Sequence, residues 1–155
     1  QNIVACVDFS ENSNLAVHRA AMAASQDKAR LKLIHVHRPS IFADPEMGWL
    51  GPAFPTTSND NVQEAVEEQI SEFAAKIAKQ YDLPEVTSEV ISSHSIHRGI
   101  WQALKDMEAD LVVLGTRGRT GFHSLFLGTT AEGLLNHTPC SALTIKPADF
   151  QYTLS

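Results

Sequence analysis

Five short apolar runs alternate with stretches whose apolar residues recur at helical spacing, and that order admits few folds. Ile3–Val7 stops at Asp8-Phe9-Ser10, and Leu31–His37 reads as a second strand. Val86, Ser88 and Val90 alternate with polar neighbours, as a strand near a sheet edge does. Leu111–Leu114 is wholly apolar and ends at Gly115, and Ala142–Ile145 precedes Pro147. Between these runs, Ser10 or Asn12 can cap a helix to about Gln26 with an apolar face at Leu15, Ala16, Arg19, Ala20, Ala23 and Ala24. Val62 to Ala78 carries i, i+3, i+4, i+7 spacing, and Ile100, Leu104 and Met107 mark a third helix. A fourth is expected from near Gly128-Thr129 to just before Pro139. Strict β-α alternation predicts an α/β fold, a doubly wound five-stranded parallel sheet with helices on both faces and strand order 3-2-1-4-5. Ile3–Val7 and Leu111–Leu114, the most apolar strands, are expected at its centre, with Asp8 and Gly115 on the rim of the crevice where such sheets bind ligands.

The reading is of one nucleotide-binding domain over residues 1–147 with a tail at 148–155. At 155 residues a single core needs no staples. Residues 39–61 hold four Pro, Gly48, Gly51 and a polar tract, and neither period survives there. This is read as a long loop, with Trp49 and Phe54 either folding over the pocket as a lid or making ordinary local contacts. The net charge of −6 disfavours nucleic-acid binding. No apolar run approaches a bilayer span, and the first residues lack the basic region of a signal peptide. Two lone cysteines, Cys6 and Cys140, suit a reducing compartment, so a cytoplasmic location is expected. The chain starts at Gln1, which leaves open that it is a piece of something longer.

The chemistry concentrates in Gly115-Thr116-Arg117-Gly118-Arg119-Thr120-Gly121 after the fourth strand and in Gly128-Thr129-Thr130 at the next helix. Glycines let backbone N–H groups approach an anion, and a helix N-terminus supplies free donors and partial positive charge. A plain turn and helix cap would use the same residue types. Asp8 could likewise serve only as a cap for the first helix. His35 with His37, and His94 with His97, lack the further ligands of a zinc site and are read as packing or solvent-facing. His123 and Ser124 are equally compatible with phosphate contact and with a surface role.

Gly115-x2-Gly118-x9-Gly128-Thr129 resembles the G-2x-G-9x-G-(S/T) nucleotide loop of the universal stress protein family, in its ATP-binding subgroup. Val-Asp-Phe-Ser at 7–10, Leu-Ile-His-Val at 33–36, Ala-Asp-Leu-Val-Val-Leu-Gly at 109–115 and Pro-Cys-Ser-Ala-Leu-Thr-Ile-Lys-Pro at 139–147 are similar to its strands in the same order. The resemblance implies an ATP-binding regulatory domain acting in the stress response as a homodimeric switch or adaptor, paired through Ala142–Ile145, with a protein partner and no membrane insertion. It places Asp8, flanked by Cys6 and Val7, at the ribose and Val36 at adenine. Leu114, Gly115, Arg117 and Gly118 would then wrap the ribose and first phosphates, and Gly128, Thr129, Thr130 and Ala131 the phosphate tail. Mg²⁺ or Mn²⁺ would bridge phosphates, because the loop offers no carboxylate. The family often has a glycine soon after the third strand, where this chain reads Ser92-Ser93-His94-Ser95. No catalytic set is visible; slow ATP hydrolysis, autophosphorylation or adenylyl transfer in the same pocket is the alternative to a binding module.

Overall fold

The computed structural model describes residues 1–39, 58–116 and 134–151. Within them the strands are β1 (Asn2–Cys6), β2 (Arg30–His37), β3 (Val86–Ser92), β4 (Leu111–Gly115) and β5 (Ser141–Ile145). The helices are α1 (Glu11–Asp27), α2 (Ser58–Gln80) and α3 (Ile96–Asp106), and residues 134–137 are also helical. All five strands are parallel, in the order β3-β2-β1-β4-β5. β1 therefore sits between β2 and β4, as its continuous apolar run requires.

The handedness of the crossovers explains the two layers. From β1 the chain steps outward through β2 to β3, placing α1 and α2 on one face. It then returns to β4 on the far side of β1, and right-handed connection puts α3 on the other face. The core is divided accordingly. Ile3, Ala5, Leu31, Leu33 and Val113 pack against α1 and α2, and Val4, Cys6, Ile34, Val112 and Leu114 pack against Ile100, Leu104 and Leu134.

Two element readings shift. In α1 the buried stripe is Ala16, Val17, Ala20, Ala21 and Ala24, while Leu15 is 38% exposed. The face is rotated from the expected one because alanines let the helix lie close to the sheet, which a leucine would hold off. α2 begins at Ser58, inside the stretch expected to be loop. Its Ile70, Ala74 and Ile77 are buried, yet Val62 is exposed. A helix of 23 residues spans roughly 35 Å, longer than the seven-residue strand β3 it precedes, so its first turns overshoot the sheet. Residues 40–57 of the expected loop lie outside the described residues, as does the expected start of the fourth helix.

Candidate nucleotide site at the carboxyl ends of the strands

The turn after β1 is held by side chains that answer each other. Val7 N donates to Ile34 O at 2.8 Å, extending the β1–β2 pairing past the strand. Asp8 Oδ1 accepts from Ser10 N at 2.9 Å and from the Ser10 hydroxyl. Ser10 is the N-cap of α1, its Oγ accepting from Ser13 N at 3.1 Å, and Ser13 Oγ accepts from Asp8 N at 3.3 Å. Asp8 is thus not the cap itself; it holds the residue that is. Between them Phe9 takes a left-handed φ of 63°, uncommon for a bulky side chain. Its ring packs against His35 with centroids 5.2 Å apart. His35 Nδ1 lies 2.7 Å from Val7 O. A carbonyl only accepts, so this nitrogen carries a proton.

The turn forms one side of a cleft at the switch point between β1 and β4. Cys6, Val7, Asp8, Ser13, Ile34, His35, Val36, Ile96, Ile100 and Gly115 line it. Ile34, Val36, Ile96 and Ile100 make apolar walls, and the Asp8 carboxyl, Ser13 hydroxyl and His35 ring supply polarity. Burial, then the Asp8 charge, push the Cys6 thiol up to about 12, so it stays protonated and inert at neutral pH. A larger groove of about 910 Å³ lies at the opposite ends of the strands, between Lys28, Arg30, Asp82, Glu85 and Glu108. It is an open, charged surface between helix ends, and the smaller cleft is the one standing where open parallel sheets bind ligands.

On the β4 side, Gly115 touches α1 directly. A Cβ there would lie 2.6 Å from Asn12 Oδ1 and 3.0 Å from Asn12 O. Asn12 is buried, and its Nδ2 donates to Ile145 O at 3.0 Å. The same carbonyl accepts from Thr116 N at 3.0 Å and Thr116 Oγ1 at 3.3 Å. One oxygen at the end of β5 therefore ties together the start of α1 and the start of the glycine segment.

Five of the expected site residues, Cys6, Val7, Asp8, Val36 and Gly115, meet in this cleft. Leu114 is fully buried in the core on the α3 side and is not part of the lining. Arg117, Gly118, Gly128, Thr129, Thr130 and Ala131 lie outside the described residues. Ser13, Ile34, Ile96 and Ile100 also line the cleft, though the sequence does not mark them as site residues, and so does His35, whose strand position reads as packing or solvent-facing. A signal existed: Ile34 and Val36 share one face of a strand, and Ile96 and Ile100 are one helical turn apart.

Comparison with known proteins agrees with this architecture. The family model described as "Universal stress protein family" matches residues 1–146. Universal stress protein A homolog 1 of Coxiella burnetii is 27% identical over 147 residues, covering 94% of this chain and 95% of that protein. Universal stress protein E of Photorhabdus laumondii is 46% identical over 61 residues, 36% of this chain but only 19% of that longer protein. Among solved structures, UspA from Lactobacillus plantarum superposes with a TM-score of 0.75 at 22% identity, covering 94% of this chain and 97% of that one. A universal stress protein in complex with cAMP gives 0.67 at 18% identity, covering 93% and 95%. One from Archaeoglobus fulgidus in complex with dAMP gives 0.64 at 18%, covering 94% and 98%. With nearly the whole chain matched by the family model and the same sheet order in the fold, the chain belongs to the universal stress protein family.

Proposed function

We propose that this domain binds an adenine nucleotide, ATP in the first instance, and acts in the stress response as a homodimeric switch or adaptor. The observation that carries the reading is the cleft itself. It stands at the β1/β4 switch point, with apolar walls suited to the faces of a planar base and a carboxylate beside them. Family members bound to cAMP and to dAMP support an adenine base over other ligands.

In this reading Ile34, Val36, Ile96 and Ile100 sandwich the base, and Asp8, with Cys6 and Val7 beside it, holds the ribose side. Gly115, Arg117 and Gly118 enclose the ribose and first phosphates, with Leu114 buried behind them in the core. Gly128, Thr129, Thr130 and Ala131 offer backbone N–H groups and hydroxyls to the phosphate tail at a helix N-terminus. The described residues hold no cluster of three or more His, Cys, Asp or Glu that could bind a metal. In this reading Mg²⁺ or Mn²⁺ bridges the phosphates and neutralises their charge, because the sequence from Gly115 to Ala131 offers no carboxylate to hold it.

Mass spectrometry of small molecules released from freshly purified, denatured protein, with calorimetry of Mg-ATP binding, tests the reading. We expect a bound adenine nucleotide or a saturable heat, and loss of both in Gly128→Val, whose side chain projects where phosphate approaches. No released nucleotide together with no heat rejects the reading. Unchanged affinity in Gly128→Val rejects the phosphate-loop assignment.

A further inference from the structure

Helix α3 reaches the cleft by way of a glycine in its first turn. Gly99 rests directly on β2: a Cβ there would lie 2.9 Å from Val36 Cγ1, 3.2 Å from Val36 Cγ2 and 3.2 Å from Ser93 Cβ. Gly99 lies between Ile96 and Ile100, and all three of Val36, Ile96 and Ile100 line the cleft. The start of α3 is also anchored to the end of β2. Ser93 N donates to His37 O at 3.0 Å, Ser93 Oγ to Ser95 O at 2.7 Å, and Gly99 N to Ser95 O at 3.0 Å. Ser95 caps the helix, accepting from Arg98 N.

We infer that Gly99 is the positioning residue that sets the width of the base slot, by letting the first turn of α3 sit directly on Val36. This rests on the reading of the cleft as a nucleotide site, and adds which residue fixes its dimensions. The chain gives a methyl group at Gly99 no easy escape. Valine is stiff about χ1, and both of its methyl carbons already face the position a Cβ would take. Ser93 closes a further side. The strain is relieved by lifting α3, which carries Ile96 and Ile100 away from Ile34 and Val36 and opens the slot. An opened slot loses its contact with the base and uncovers Cys6, which lines the cleft and is otherwise buried.

The test uses the full chain with Cys140→Ser, so that Cys6 is the only thiol. Gly99→Ala, Val36→Ala and the pair are compared for binding of N-methylanthraniloyl-ATP and for the rate of Cys6 labelling by a maleimide. Gly99→Ala should weaken binding by about tenfold or more and speed labelling by about tenfold, with a melting temperature only a few degrees lower. The pair should match Val36→Ala alone in both readouts, because removing the valine methyls restores the space. If Gly99→Ala does not fold, a pair that folds and behaves as Val36→Ala supports the inference, and a pair that also fails overturns it. Wild-type affinity and labelling in Gly99→Ala overturn it while leaving nucleotide binding intact. If no variant, wild type included, binds the analogue while labelling follows the expected order, the nucleotide reading falls and the wall assignment stands.

Discussion

The side chain that Gly115 lacks is the space that Asn12 fills. A strand-end glycine in a G-2x-G pattern reads from sequence as a place for phosphate or ribose to approach, and the structure adds a reason that needs no ligand. Asn12 Oδ1 lies 2.6 Å from where a Cβ would stand, and its amide holds Ile145 O. Gly115→Ala should therefore destabilise the fold by about 2–3 kcal/mol even without nucleotide, through overpacking and loss of a buried hydrogen bond. Chemical denaturation of the free protein measures this. Adding Asn12→Ala to Gly115→Ala should cost less than the sum of the two single changes, since the second removes the clash made by the first. A Gly115→Ala protein as stable as wild type would make the ligand the sole reason for the glycine. Intact glycine spacing is thus weaker testimony for a ligand at this position than the pattern suggests. The same limit on sequence reading applies to His35. Its strand position marks it as packing or solvent-facing, and only the fold brings Val7 O and the Phe9 ring to it.

Helices α1, α2 and α3 end in one way, and none of these three uses glycine to do it. Lys28, Asp82 and Glu108 take left-handed φ values of 52°, 50° and 50°. Just beyond each, Ala29 N donates to Ala24 O, Leu83 N to Ala78 O, and Ala109 N to Leu104 O, the closing bond of a Schellman motif. A left-handed conformation costs an ordinary L-residue about 1–2 kcal/mol, partly offset by the greater freedom glycine has in the unfolded chain. Lys28→Gly, Asp82→Gly and Glu108→Gly should each stabilise by about 0.5 kcal/mol and add nearly independently, a gain thermal melts of the single and triple variants would register. Loss of stability in all three would mean that side-chain contacts at the helix ends outweigh the backbone strain. Apolar period made the existence and order of these elements legible, because burial on a parallel sheet dictates it. Their ends were less so. The stop after Gln80 carries no glycine signal, and α2 runs back to Ser58 through residues with no apolar period.

The two edges of the sheet are built differently, and that difference bears on assembly. β3 carries Glu89, paired with Lys32 of β2, and α2 packs across it, as a guarded edge should. β5 reads Ser-Ala-Leu-Thr-Ile, with no charge and no proline inside the strand. Among the described residues it pairs only with β4, Ser141 to Leu143 are exposed, and Leu143 is 40% accessible. An unguarded edge of this kind offers a free row of backbone donors and acceptors to a second strand. A second copy of the same chain meets it with the same row, which is the self-complementary contact a twofold dimer needs. We propose that this edge is the homodimer contact. A five-residue strand alone falls short of the roughly 1,200 Å² that stable interfaces bury, so the Leu143 side chain must contribute along with the backbone. Leu143→Lys should then shift the protein to monomer by placing like charges across the twofold axis, while Mg-ATP affinity changes little because the cleft lies across β1 and β2 rather than at β5. Sedimentation velocity over a concentration series, with calorimetry on the same samples, separates the outcomes. A wild-type monomer at every concentration, or a Leu143→Lys dimer as tight as wild type, removes β5 as the contact. A monomer that has also lost nucleotide binding would mean that the partner copy completes the site.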